Sequence, residues 1–555
     1  MPSLYTLSAV LVSLLQISFV RSTSLPIVDL GYQRHQAISY DTTWGFYNFS
    51  NIRYAAPPTG NLRFRAPTAP AINRTAVDTG SVNRICPQSF PYWAIEGIEF
   101  LVNYTQGLAF NATGMTIPNL PAQPQDPRAT EDCLFLDVIV PKAVFDGGDA
   151  TSGGAPVVVW IHGGGYTQGH KQASGDPAGL ISRSKSFSAN GIIYVSINYR
   201  LGAFGWSSGA TLTADGVANA GLLDQRFALE WVQMYIALFG GNPDNVTVMG
   251  ESAGGASIMS QITAYGGSKG PVPFNRAIAQ SPALWPTPSS TVEENTFQAF
   301  LQLLNVSTLA QARALSSDAL ITANSLQVGD QSAYGTFTYG PVVDGTFAPG
   351  LPAILLSQGK FDSTVSVMVG HNADEGPLFT NPAVSDTPSY IAYLQGMFPT
   401  MPTATLNQIS NSIYPALFDG SQPYTSQLGR AILTASESLI ACNTFFLDTA
   451  FKNKTFSYVF DVPPPIHAQD IAYTYYVGDG SDASTVLPAV AQPMQDFLVS
   501  FAVNGTPRSV VSGVPTFPAY GKTAAILDLS ATGIVQKTDP AANSRCVFWQ
   551  TAAFQ

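Results

Sequence analysis

Val246-Thr247-Val248-Met249-Gly250-Glu251-Ser252-Ala253-Gly254 (VTVMGESAG) is the stretch from which the rest of the chain can be read. Its first four residues are β-branched or apolar, the composition of a buried strand. The next five spell Gly-x-Ser-x-Gly and open an Ala/Gly/Ile-containing segment able to start a helix. A strand that breaks at a Gly-flanked serine and returns as a helix sets the hydroxyl on a sharp turn, aimed at a base. Glycines two residues to either side let that strained turn pack without Cβ clashes. Ser252 is therefore the expected nucleophile.

Short apolar runs extend outward from this stretch. Leu134 to Val140, Pro156 to Ile161 and Ile192 to Ile197 precede it, and Val365 to Val369 and Phe456 to Phe460 follow. Each reads as a buried strand, and the helical patterns between them are the signature of a mostly parallel sheet covered on both faces. Leu223, Phe227, Trp231, Tyr235 and Phe239 recur every fourth residue across Gly221 to Phe239, predicting a crossover helix that Gly240 and Gly241 end. Asp146 to Gly154 reads as an exposed turn, and Phe297 to Thr449 is mostly helical in pattern. No linker or internal repeat interrupts the order, so residues 23–555 are expected to form one α/β-hydrolase domain with an elaborated helical cap.

Attack on a carbonyl creates an oxyanion, and His162-Gly163-Gly164-Gly165 after the strand ending at Ile161 offers amides clear of side chains. Gly164 and Gly165 are the expected donors, with the amide of Ala253 as the third; one such donor is typically worth about 3 kcal/mol in the transition state. The base must come from five histidines, His35, His162, His170, His371 and His467. In this fold the order is serine, acid, histidine, which leaves His371 and His467. His467 follows a predicted strand through Pro463-Pro464-Pro465, as a catalytic loop would, whereas His371 reads as a surface loop residue. The acid should end a strand between Ser252 and His467. Asp374 and Glu375, after Val365 to Gly370, both qualify, and either carboxylate could hold an imidazole Nδ1–H.

Composition narrows the partners. With 25 basic and 36 acidic residues the net charge is −11, and no basic run could grip phosphates, so nucleic acid is not an expected partner. Leu4 to Val20 (LYTLSAVLVSLLQISFV) has the apolar core of a signal peptide, with small residues at Ser22 and Ser24, and is shorter than a comfortable membrane span. Residues 1–22 are thus expected to be removed and the protein secreted, without stable membrane insertion. Sequons at Asn48, Asn73, Asn103, Asn111, Asn245, Asn305, Asn453 and Asn504 agree with an extracellular glycoprotein. Cys86, Cys133, Cys442 and Cys546 lack the close spacing of a zinc site and read as two disulfides, with three pairings open.

Beyond the serine, several blocks resemble the type-B carboxylesterase family, which includes the cholinesterases and several secreted lipases. They are Ala55 to Phe64 (AAPPTGNLRF), Glu131 to Leu136 (EDCLFL), Asn198 to Gly202 (NYRLG), Gly221 to Gln225 (GLLDQ), Gly340 to Gly345 (GPVVDG) and Phe501 to Pro507 (FAVNGTP). The resemblance implies a triad of Ser252, Glu375 and His467, with Asp374 as the alternative acid. It also implies pairing of Cys86 with Cys133 and of Cys442 with Cys546, and makes Glu251 similar to a carboxylate that stands beside the family's triad. Departures from the family pattern fall at Arg53, Tyr166, Pro282 and Ala468.

The implied activity is hydrolysis of small-molecule or lipid esters by acyl transfer through Ser252, which requires no metal and no organic cofactor. The alternative is a binding or adhesion protein that keeps the fold without the activity. Between Cys86 and Cys133, Phe90, Tyr92, Trp93, Ile95, Ile98, Phe100, Leu101, Val102 and Tyr104 form either a lipase-like lid or a loop packed on the core. Trp93 lies near the first of these cysteines, unlike the choline-binding tryptophan of cholinesterases. Acyl length, alcohol preference and oligomeric state are left open.

Overall fold

A computed structural model describes residues 24–112, 120–148, 153–285, 289–452 and 454–550. The expected signal segment, residues 1–22, the sequon at Asn453 and the middle of the Asp146 to Gly154 turn lie outside the described residues.

Eleven strands form the main sheet: β1 (Ser39–Asp41), β2 (Phe46–Arg53), β3 (Phe135–Pro141), β4 (Ala155–Ile161), β5 (Ile193–Ile197), β6 (Gly241–Glu251), β7 (Arg276–Gln280), β8 (Ser366–Asn372), β9 (Phe456–Asp461), β10 (Ala525–Ser530) and β11 (Gly533–Thr538). Their spatial order is β1-β2-β3-β5-β4-β6-β7-β8-β9-β10-β11. The pairings from β5 through β10 are parallel, and those at the two edges are antiparallel. A separate three-stranded sheet is built from Ile27–Asp29, Arg34–Gln36 and Val77–Asp78.

The central strands are apolar throughout because both of their faces are covered. Alternation then divides each strand between two cores. Val157, Val159 and Ile161 of β4 enter one core, while Val158 and Trp160 enter the other. The helices that position the site are α1 (Trp93–Thr105), α2 (Ala178–Ser184), α3 (Ala220–Tyr235), α4 (Ala253–Ile262), α5 (Ser290–Leu303) and α6 (Pro488–Asn504). Side chains of α3 and α4 fill the first core, and those of α2 and α6 the second.

α3 follows the expected range, with Ile236–Phe239 continuing it as a 3-10 turn that ends at left-handed Gly240 (φ 86°). Its buried face differs from the expected stripe. Residues spaced by four advance about 40° per step around a helix of 3.6 residues per turn, so Leu223, Phe227 and Tyr235 end half-buried. Leu222, Ala228, Leu229 and Val232 share the buried face with Trp231 and, in the 3-10 turn, Phe239.

Register brings the strand ends to one edge. Ile161 pairs with Gly250, Glu251 with Gln280, Gln280 with Gly370, and Asn372 with Phe460. The loops after β4, β6, β7, β8 and β9 therefore leave the sheet side by side, at the carboxyl edge where open α/β sheets place their ligands.

Candidate active site

Ser252 occupies the turn between β6 and α4 with φ 56° and ψ −122°, a conformation that L-residues adopt rarely. The flanking glycines are required by space. A Cβ on Gly250 would stand 2.7 Å from the carbonyl oxygen of Ile161, and one on Gly254 only 2.1 Å from the same atom. The turn at Ser252 is thus pressed against the end of β4, from which His162-Gly163-Gly164-Gly165 departs.

His467 sits in the loop after β9, at 2.9 Å from Ser252 Oγ through Nε2 and 2.5 Å from Glu375 Oε2 through Nδ1. The loops after β8 and β9 hold each other: Ala373 N donates to Phe460 O and Asp374 N to Pro465 O, both at 2.9 Å. The fully buried Glu375 accepts from Ser281 Oγ and from Asn372 N through Oε1, both at 2.6 Å. Burial would raise its pKa, but the His467 charge and hydrogen bond and the Ser281 hydroxyl together hold it below the ordinary carboxylate range.

Asp374, the other candidate acid, turns away and accepts from Tyr104 Oη of α1 at 2.7 Å. Glu251 has Oε1 at 3.4 Å from His467 Nε2. Its carboxyl is pushed up to about 8 by burial, against the opposing pull of His467. Burial disfavours the imidazolium of His467, yet Glu375 first and Glu251 second outweigh it and push its pKa up to about 9. His371 is a correction: it is a buried residue of β8, with Nδ1 at 2.8 Å from Asn372 O, and not on a surface loop.

Gly164 (φ 103°) and Gly165 (φ 59°) adopt backbone conformations that favour glycine. A Cβ on Gly165 would lie 2.4 Å from the Phe337 ring, and one on Gly163 would lie 3.0 Å from Ser252 Cβ. Among the described residues the amides of Gly164, Gly165 and Ala253 donate to no other backbone carbonyl outside helices and strands. His162, stacked on Tyr199 with ring centroids 4.4 Å apart, is pushed down to about 3 by burial.

Sequence reasoning passed over the network behind Glu375. Asn372 Nδ2 reaches Ser281 Oγ at 3.2 Å and Asp470 Oδ1 at 3.3 Å, and Asp470 Oδ2 accepts from Gln280 and Tyr458. Only the spacing His467-x-x-Asp470 at a helix start could have pointed to Asp470. An aromatic wall was also missed: Phe379 lies 5.0 Å from the His467 ring, Trp285 5.3 Å from Phe379, and Phe337 5.4 Å from Trp285. These residues are far apart in sequence, and no local motif marks them.

The loop between the first two cysteines packs part of its apolar material on the core and leaves the rest exposed. Tyr92, Trp93, Ala94, Gly97 and Phe100 pack inward, and Trp93 Nε1 donates to Thr336 O at 2.8 Å. Ile95, Ile98 and Val102 of α1, with Leu108 beyond it, remain exposed. The structure carries the disulfides Cys86–Cys133 and Cys442–Cys546. Among the sequon asparagines, Asn73, Asn111, Asn305 and Asn504 are exposed, whereas Asn48, Asn103 and Asn245 are partly covered.

A model of the carboxylesterase family matches residues 31–549. Carboxylesterase patB of Penicillium expansum is 41% identical over 554 residues, covering 96% of this chain and 97% of that protein. A secreted lipase of Arthroderma benhamiae is 31% identical, over 77% of this chain and 83% of its own length. The crystal structure of Aspergillus niger EstA superposes with a TM-score of 0.77 at 24% identity, covering 95% of this chain and 98% of that one.

Proposed function

The chain belongs to the carboxylesterase family and is a carboxylic-ester hydrolase, and from that premise we propose that it is secreted and works through an acyl-enzyme on Ser252. The observation that carries this reading is the unbroken contact from Ser252 Oγ through His467 to Glu375, at 2.9 and 2.5 Å.

In the proposed reaction His467 Nε2 takes the proton of Ser252 Oγ as that oxygen attacks the ester carbonyl. Glu375 fixes the imidazole tautomer and stabilises the imidazolium. The amides of Gly164, Gly165 and Ala253 receive the oxyanion, where a fixed donor is worth most because no solvent need reorganise. The imidazolium then gives its proton to the leaving alcohol. Water, activated by the same histidine, releases the acid and regenerates Ser252. Glu251 stands beside the imidazole and adds to its basicity.

Secretion is supported by the two disulfides, which persist in oxidising compartments, by the apolar segment Leu4 to Val20 and by the exposed sequons. Among the described residues no helix is long and apolar enough to cross a membrane. The non-enzymatic alternative would leave the contacts from Ser252 through His467 to Glu375 without a role.

Hydrolysis of p-nitrophenyl esters from acetate to palmitate by the parent and by Ser252→Ala tests the reading. The parent should turn over part of the series, and the variant should lose about 10⁶ in kcat, as expected when a triad nucleophile is removed. The chain-length optimum separates an esterase from a lipase. Equal activity in the two proteins would overturn the role of Ser252.

A further inference from the structure

Beside the triad lies a cavity of about 420 Å³ that Ser252 and His467 do not line. Trp285 and Phe337, two rings of the aromatic wall, form part of its lining. Phe337 also stands against Gly165 of the oxyanion loop. The cavity reaches solvent on the side of Gln395, Gly396 and Pro399, which are exposed. Glu293 of α5 is the one charged side chain among the described residues that line it.

Several of the other polar groups of this wall are already engaged. Trp206 Nε1 donates to Arg200 O at 3.0 Å, Thr296 Oγ1 to Val292 O at 2.9 Å and Thr336 Oγ1 to Ala333 O at 2.8 Å. Thr338 and Ser332 share a hydrogen bond of 2.7 Å. Glu293 is touched by the Ser208 hydroxyl, and its carboxyl is still pushed up to about 7, by burial first and by the Asp344 charge second. An ionised carboxylate has about four acceptor sites, so this one has hydrogen-bonding capacity left. Among the described residues, Trp285 Nε1 on the same wall is a buried donor without a partner.

The reaction's geometry says which half of an ester would face this cavity. The leaving oxygen must stay within reach of His467 Nε2, which protonates it. The acid half then extends along the oxyanion loop, toward Phe337 and Trp285. Resting on the reaction proposed above, we propose that the cavity holds the remote end of the acid half and that Glu293 selects acids bearing a hydroxyl or ammonium donor there. A mostly apolar pocket with one convergent polar group recognises ligands in this manner, and a substrate that leaves the polar group unpaired is discriminated against.

The test measures kcat/KM for p-nitrophenyl hexanoate, ω-hydroxyhexanoate and ω-aminohexanoate, each divided by the same protein's value for p-nitrophenyl acetate. The parent should favour the two donor-bearing esters over hexanoate by about tenfold, the scale of one hydrogen bond to a charged group. Glu293→Leu should abolish or reverse the preference. Glu293→Gln, which keeps the shape, should lose the preference for the ammonium and retain part of that for the hydroxyl. A parent without preference, or one whose preference survives in both variants, would overturn the proposal while leaving ester hydrolysis intact. Calorimetric binding of ω-aminohexanoate against hexanoate gives a readout without turnover: tighter binding of the amino acid that disappears in Glu293→Gln supports the assignment, and equal binding contradicts it.

Discussion

Glu375 and Asp374 are neighbours in sequence, yet one contacts His467 and the other Tyr104. This division makes a direct prediction. Glu375→Gln should lower kcat by about 10⁴, because an amide no longer fixes the tautomer that accepts the Ser252 proton. Asp374→Asn should cost less than about tenfold in the same p-nitrophenyl acetate assay, since its partner belongs to α1. The pH profile supplies a second expectation. The base must be neutral to accept a proton, and neighbouring anions favour its charged form, so His467 near about 9 implies a kcat/KM that climbs through alkaline pH. Glu251→Gln removes one of those anions and should move the rising limb to lower pH. Ser252 and His467 could be read directly, one from a strand-turn-helix motif and the other from chain order. The acid could not, because which of two adjacent carboxylates faces the imidazole depends on how the loop after β8 is pinned to the loop after β9. Resemblance indicated Glu375, and the geometry gives the physical reason.

At the scale of elements, the departures from the family pattern include backbone positions under strain. Ala468, directly after His467, has φ 67°, and Tyr166, after the glycine run, has φ 63°. An L-residue in this region costs about 1 kcal/mol more than glycine. Ala468→Gly should therefore raise the unfolding free energy by about 1 kcal/mol, visible as a higher Tm, and an unchanged or lower Tm would contradict this. α1 provides another test at this scale, being held to the loop after β8 by the Tyr104 to Asp374 hydrogen bond. Tyr104→Phe should speed amide hydrogen exchange across Trp93–Thr105 by about tenfold, the cost of one hydrogen bond to a charged group. Unchanged exchange would mean that packing of Trp93 and Phe100 alone holds the helix. The inward and outward faces of α1 were not separable in the sequence, because buried and exposed apolar residues look alike until a partner surface is known.

For the whole molecule, the blocks that resembled family sequence prove to be partners across the fold. Arg63 of the first block pairs with Glu131 of the second at 2.6 Å, and Arg200 with Asp224 of the next two at 2.7 Å, all four being buried. Removing one member leaves an uncompensated buried charge, so Arg200→Met should destabilise the fold by about 3 kcal/mol or more in denaturant unfolding. Most of the central parallel strands were legible as apolar runs. β1, β2, β7, β10 and β11 were not: β7 (RAIAQ) is short and alanine-rich, and β11 is exposed along most of its length. Edge strands that face solvent have no need of the apolar signature by which a buried strand is found.

The central claim is the covalent intermediate on Ser252. Rapid mixing with p-nitrophenyl hexanoate, acid quenching and peptide mass spectrometry should find a hexanoyl group on the peptide containing Ser252, formed at the rate of the p-nitrophenol burst and absent from Ser252→Ala. A burst accompanied by acylation of a different residue, or a Ser252→Ala protein that still acylates at the parent's rate, would contradict the account.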